Sequence, residues 1–307
     1  MNATRVHRVE PSRIREIEER LTRAGYQFRR PPAHARFQAR GEGVTVTLYL
    51  SGKLVVQGRG AELWGERYLG GAAAAEPARA KRSAREEIAS PLPAALLGSD
   101  EAGKGDTFGP LVVAAVAVDE RALLDFDRMR LADSKTLSEE RVRILAPQIR
   151  ERAPSRERVL APADYNEARH RHGDNVNHLL AALHAELLED LYRETGLKTA
   201  VVDRFAGEQP VRRLLGERAP ELEVHEVPRA EEILAVAAAS ILARDRFLEG
   251  LRGLEEEWAV DLARGSGPPA AKALRRFLQV HGPGPLEQVA KLHFRNVQAA
   301  LEAHGRG

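Results

Sequence analysis

The chain predicts an α/β domain built on a mixed central sheet, preceded by a small α+β module. Three observations carry this expectation. Strand-like and helical segments alternate from Leu96 onward. The amino-terminal part has a shorter pattern of one helix followed by a strand pair. Charge is also divided unevenly: residues 1–70 hold 13 Lys and Arg against 7 Asp and Glu, a net +6, which leaves 34 against 38, or −4, for residues 71–307. At 307 residues the chain has room for two cores. The expected division is residues 1–70, a linker over 71–92, and a second domain over 93–307.

In the first module, Pro11-Ser12 opens a helix with Ile14, Ile17 and Leu21 on one face, and Gly25 follows it. Val44 to Leu50 alternates at strand period, Ser51-Gly52-Lys53 turns, and Leu54 to Gly58 returns as a second strand. Arg36, Arg40, Lys53 and Arg59 are candidate phosphate contacts in this basic part. Tyr49 and Phe37 are candidate stacking partners, and Phe37 fits a core position equally well. An arginine-rich solvated surface explains the same charge without a ligand. The Ala-rich, Pro-containing stretch from Gly70 to Pro91 reads as a connector.

In the second part, Leu96 to Asp100 and Leu111 to Val118 suit neighbouring strands. Ser138 caps a helix led by Glu139 and Glu140. Asn177 to Leu191 is helical, Thr199 to Asp203 is a short β-prone run ending in an acid, and Val224 to Pro228 reads as another strand. Ile233 to Ala243 is an Ala-rich helix, with Glu231 and Glu232 at its start.

Chemistry concentrates at Asp100 and Glu101, side by side between two strand-like segments and followed by Gly103-Lys104-Gly105. Adjacent carboxylates can ligate hard cations such as Mg²⁺ or Mn²⁺, and glycines let a phosphodiester approach the main chain. A solvated turn at a strand end is the competing reading. Gly98, Gly103 and Lys104 have the spacing of a nucleotide-binding P-loop, but Gly105 stands where that loop needs Ser or Thr, and two acids lie inside it. Asp203 is a third candidate ligand, and one of Glu231 and Glu232 a fourth.

The segment Gly98 to Pro110 resembles the opening motif of the type 2 ribonucleases H, and its Gly-Asp-Thr-Phe-Gly-Pro continuation resembles the ribonuclease HIII branch. Further segments agree in order: Asp133-Ser134-Lys135, Tyr165-Asn166 with Asn175-Val176-Asn177 and His184, Val202 to Ala206, Ala237 to Arg244, and Lys291-Leu292-His293-Phe294 with Asn296. Ser51 to Leu54 with Gln57-Gly58 resembles that branch's amino-terminal domain.

The resemblance implies a ribonuclease H-like catalytic domain after a TATA-binding-protein-like domain that helps bind substrate. It implies hydrolysis of the RNA strand in an RNA/DNA hybrid by two-metal-ion catalysis, leaving 3′-hydroxyl and 5′-phosphate ends. The family's four carboxylates carry over to Asp100, Glu101, Asp203 and Glu231, with Glu231 preferred to Glu232 because Ala230-Glu231 matches the family's Ala-Glu step. Gly103, Lys104 and Gly105 correspond to its substrate motif, and Lys53 joins them as a substrate contact. Cleavage at single ribonucleotides in duplex DNA, as in ribonuclease HII, is the nearest alternative, followed by another two-metal nuclease on the same fold.

The remaining polar residues read more plainly. Asp245, between two arginines, suits an ion pair. His184 suits a hydrogen-bonded position inside its helix. His170, His172 and His178 suit a solvated face near the substrate groove, not a zinc site. With no cysteine, no apolar run of about 18 residues and no hydrophobic signal segment, a soluble, cytoplasmic, monomeric enzyme without an organic cofactor is expected.

Overall fold

The computed structural model describes residues 3–32, 34–69, 76–77, 84–88, 91–131 and 137–305. The Asp133-Ser134-Lys135 motif and most of the expected linker lie outside the described residues. The chain forms two compact units that divide between Arg82 and Ser83.

The amino-terminal unit comprises β1 (Ala3–Arg8), α1 (Ile14–Arg23), β2 (Gln27–Arg29), β3 (Ala35–Gly41), β4 (Val44–Tyr49), β5 (Lys53–Gly58), α2 (Ala61–Leu69) and β6 (Glu76–Pro77). Its strands make one sheet in the order β2-β3-β4-β5-β1-β6, every pair antiparallel. A single 3₁₀ turn, Pro11–Arg13, precedes α1, so the helix begins three residues later than its Pro-Ser signal. Ile14, Ile17 and Leu21 of α1 and Trp64 and Tyr68 of α2 bury against Val44, Val46, Leu48, Leu54 and Val56. Phe37 is only 5% exposed in this core, which removes it as a stacking partner for a nucleic-acid base. Strand alternation turns Arg40, Thr45, Gln57 and Thr4, which lie in register across four strands, to the opposite face.

The second unit comprises α3 (Ala84–Glu87), β7 (Leu96–Ala102), β8 (Leu111–Val118), α4 (Glu120–Arg128), α5 (Glu139–Arg152), β9 (Ser155–Leu160), α6 (Pro162–Arg171), α7 (Val176–Thr195), β10 (Thr199–Asp203), α8 (Pro210–Arg218), β11 (Glu223–Val227), α9 (Leu234–Trp258), α10 (Pro268–His281) and α11 (Arg295–His304). The sheet runs β11-β10-β7-β8-β9, with β11, β10 and β7 parallel and β8 and β9 antiparallel to their neighbours. Helices cover both faces, so every residue of β8 is buried, as its unbroken apolar run requires. Val112, Ala114, Val116 and Val118 meet the layer of α4, α5 and α9, while Leu111, Val113, Ala115 and Ala117 meet that of α6, α7 and α8.

α9 rests directly on β7. A Cβ added to Gly98 would lie 2.2 Å from the Ala235 carbonyl carbon, so only glycine lets helix and strand approach this closely. Among the described residues, no helix is long and apolar enough to cross a membrane.

Candidate active site

The pleat of β7 separates its two acids. Alternate residues of a strand point to opposite faces, so Asp100 shares the α9 side with Leu96, and Glu101 shares the α7 side with Leu97. Asp100 is hydrogen-bonded by Ser240 of α9, and its Oδ1 also accepts the Glu101 main-chain N–H at 2.9 Å. Burial, and then the negative charges of Glu101 and Asp203, hold the Asp100 carboxyl well above the usual aspartate range.

Asp203 ends β10, the parallel neighbour of β7, and its Oδ1 accepts the Ala230 N–H at 3.0 Å. That bond docks the 3₁₀ turn Ala230–Glu232, which carries Glu231, onto Asp203. Glu232 is engaged elsewhere: its Oε2 accepts the Ala84 N–H at 3.1 Å and its Oε1 lies 3.4 Å from Arg229.

On the other face, Glu101 Oε2 lies 3.3 Å from His184 Nε2, and Glu101 Oε1 lies 3.7 Å from Lys104 Nζ. Burial pushes the Glu101 carboxyl up, but His184 and Lys104 outweigh it and hold the group below the usual glutamate range. The Lys104 ammonium also sits 5.0 Å from the centre of the Phe205 ring, within reach of a cation–π contact.

The loop after the acids is pinned from the far end of the chain. Gly103 has φ +86° and a Cβ there would meet Pro110 O at 2.2 Å, whereas a Cβ on Gly105 would meet open space. Asp106 Oδ1 accepts the Gly265 N–H at 2.6 Å, and the Thr107 N–H is donated to Gly265 O. Lys291 is completely buried, and its ammonium donates to the carbonyl oxygens of Asp106 (3.1 Å), Phe108 (3.5 Å) and Gly109 (2.6 Å). Burial pushes Lys291 down to about 7, against the opposing pull of the Asp106 carboxylate.

Three of the four expected acids, Asp100, Glu101 and Asp203, therefore interact electrostatically, and Glu231 sits on the turn bonded to the third. Lys53 opens β5 of the amino-terminal unit and is exposed. Asp245 forms a half-buried ion pair with Arg150 at 2.9 Å. His170 is exposed beside Asp174, and His172 bonds Ala168 O through Nδ1, so neither is built for a metal. The sequence placed Ser240 and Lys291 inside matched family segments but gave neither a role; the structure makes Ser240 the partner of Asp100 and Lys291 the strut of the loop.

An all-oxygen donor set of carboxylates suits a hard divalent cation. The crowded negative charge on Asp100 is what such a cation would relieve. Among the described residues, no three acids or histidines close around one point. Magnesium-type sites commonly use one or two carboxylates with waters and substrate phosphates in place of a full protein cage, so the residues present fit the group.

Residues 97–297 match the ribonuclease HII family, and residues 4–81 match a family described only as a domain of unknown function, DUF3378. Ribonuclease HIII of Protochlamydia amoebophila (strain UWE25) is 38% identical over 276 residues, spanning 90% of this chain and 89% of that one. Ribonuclease HIII of Chlamydia muridarum (strain MoPn / Nigg) is 34% identical over 299 residues, 96% of each chain. Among solved structures, Bst-RNase HIII in complex with Mn²⁺ aligns with a TM-score of 0.65 and 32% identity, over 99% of this chain and 100% of that one.

Proposed function

The chain belongs to the ribonuclease HII family, in its ribonuclease HIII branch, and from that premise we propose how its own residues cut the RNA strand of an RNA/DNA hybrid. The fold is ribonuclease H-like, with a small antiparallel-sheet domain of TATA-binding-protein type before it. The activity is that of a divalent-metal-dependent endoribonuclease H.

In our reading, Asp100, Glu101, Asp203 and Glu231 hold the cations, Mg²⁺ or Mn²⁺. Glu231 is preferred to Glu232 as the fourth ligand because Ala230-Glu231 matches the family's Ala-Glu step, and the turn that carries it is bonded to Asp203. A bound metal pair supplies an activated water and a stabilised leaving oxygen, so no protein nucleophile is needed. Ser240 and the Glu101 N–H orient the Asp100 carboxylate. The turn Gly103-Lys104-Gly105, buried at Gly103 and open at Gly105, lies against the ribose and phosphate at the cut, where a 2′-hydroxyl is sensed. The products carry 3′-hydroxyl and 5′-phosphate ends. Lys53, on the basic amino-terminal unit, contacts the hybrid's backbone electrostatically.

The observation that carries this reading is the delivery of Asp100 and Glu101 by β7, and of Asp203 by its parallel neighbour β10, into one partly buried place where the charges of Glu101 and Asp203 both act on Asp100. The test is an end-labelled RNA/DNA hybrid beside a duplex with one ribonucleotide, each with Mg²⁺, Mn²⁺ or neither. Asp100→Asn and Glu231→Gln should abolish metal-dependent cutting of the hybrid, and Glu232→Gln should leave most of it. Cutting confined to the single ribonucleotide would move the specificity to that of ribonuclease HII. Full activity of Asp100→Asn would end the metal-site assignment.

A further inference from the structure

His184 is completely buried in the middle of α7, on the same face of β7 as Glu101. Its three surroundings each fix a different degree of freedom. Nδ1 lies 2.5 Å from Ser99 Oγ, which is also 2.9 Å from Ala114 O, so the serine is itself anchored to the neighbouring strand. The ring face stacks on Phe205, with planes 18° apart and centres at 5.4 Å. The remaining nitrogen, Nε2, is directed at Glu101 Oε2 at 3.3 Å, and both atoms are buried with no hydrogen-bond partner besides.

Ser99 and Glu101 are two residues apart on β7 and so share one face of the strand. The imidazole spans them, with one nitrogen on each. A histidine that needed only packing would not have both nitrogens delivered to polar atoms of the same strand. Phe205 follows Asp203 by two residues and also carries the Lys104 ammonium, so the ring that seats His184 belongs to the segment that presents the third acid.

We propose that His184, seated by Ser99 and Phe205, is the positioning residue for Glu101: it occupies one carboxylate oxygen from below and leaves the other presented to a divalent cation. This rests on Glu101 being a metal ligand. Groups that orient a metal-bound carboxylate commonly change metal affinity or activity by about 10- to 100-fold when lost.

The test measures Mn²⁺ binding to the full chain by calorimetry, together with kcat and KM on the hybrid and the melting temperature. His184→Leu, which keeps bulk but no nitrogen, should weaken Mn²⁺ binding about 10- to 100-fold and lower kcat, with the KM for hybrid little changed. His184→Gln, whose amide reaches the Nε2 position, should recover most of the loss. His184→Asn, which reaches only the Nδ1 position beside Ser99, should not. Should His184→Leu fail to fold, the Gln and Asn pair carries the comparison. Wild-type Mn²⁺ affinity in His184→Leu or His184→Asn, or equal loss in Gln and Asn variants that melt like the wild type, would overturn the positioning role. Asp100→Asn is measured alongside: if it too binds Mn²⁺ as the wild type does, the site reading itself falls, whereas weakened binding there with none in the His184 variants removes only this proposal.

Discussion

Gly98→Ala is the sharpest single perturbation of the scaffold beneath the acids. The new methyl carbon would lie 2.2 Å from Ala235 C, 2.4 Å from Val236 N and 2.5 Å from Ala235 O, all of them main-chain atoms that no side-chain rotation can clear. To reach even a tight contact of 3.4 Å, α9 must retreat from β7 by about 1 Å at that point. Overpacking of this kind costs about 1–3 kcal/mol, and two rigid backbones place it near the upper end. The second unit spans residues 83–307. For a body of that size each kcal/mol lowers Tm by about 2–4 °C, so a drop of about 6–12 °C is expected by circular dichroism. Because Asp100 is two residues along the same strand and is bonded to Ser240 on the retreating helix, hybrid cleavage should fall as well. Gly253→Ala, on the same helix with open space around its Cβ, is the control and should be neutral or stabilising by up to about 1 kcal/mol. A Gly98→Ala protein that melts within about 2 °C of the wild type and cuts normally would refute the close-packing argument.

Two further outcomes follow from buried charges. Lys291→Met removes the donor from three main-chain carbonyls and should lower the unfolding free energy by about 2–4 kcal/mol, read as a shift in the urea midpoint at constant m-value; an unchanged midpoint would show that those carbonyls find other partners. Burial pushes the Glu157 carboxyl up, but bonds from Arg150 and Arg246 outweigh it and hold the group below the ordinary glutamate range. The unfolded chain therefore takes up this proton first as pH falls, so the stabilisation is complete above about pH 4.3 and is lost below it as the folded carboxyl protonates. Glu157→Gln should flatten that acid limb of stability against pH, and an acid limb identical to the wild type would contradict the assignment.

What was legible in the sequence depended on how local each signal was. The acids and their strands were readable because β7 and β8 are apolar runs interrupted only where chemistry is needed. β9 was not, because Ser155–Leu160 is an edge strand whose alternation is written in charges: Arg156 pairs with Glu194, Arg158 with Glu186, and Glu157 with Arg150 and Arg246. α9 runs on to Trp258, well past the Ala-rich stretch at Ala243, because Phe247, Leu248 and Leu251 continue a buried stripe at helical spacing through charged sequence. In the amino-terminal unit the helix and the β4–β5 pair were legible, but β1 and α2 were not. Arg and His interrupt β1, and His7 turns inward against Trp64. His184 and Ser99 lie 85 residues apart, a pairing that no local pattern could announce.

The strut formed by Lys291 has a consequence for how the enzyme comes into being. The acid pair and the loop from Gly103 to Gly109 are made early, yet three carbonyls of that loop wait for an ammonium that arrives more than 180 residues later. Because synthesis proceeds from the amino terminus and domains fold as they emerge, a ribosome-bound chain stopped short of Lys291 carries its first two acids beside an unsupported loop. Completion of the loop is thus deferred: a segment laid down early gains these hydrogen bonds only from a residue supplied much later in the chain.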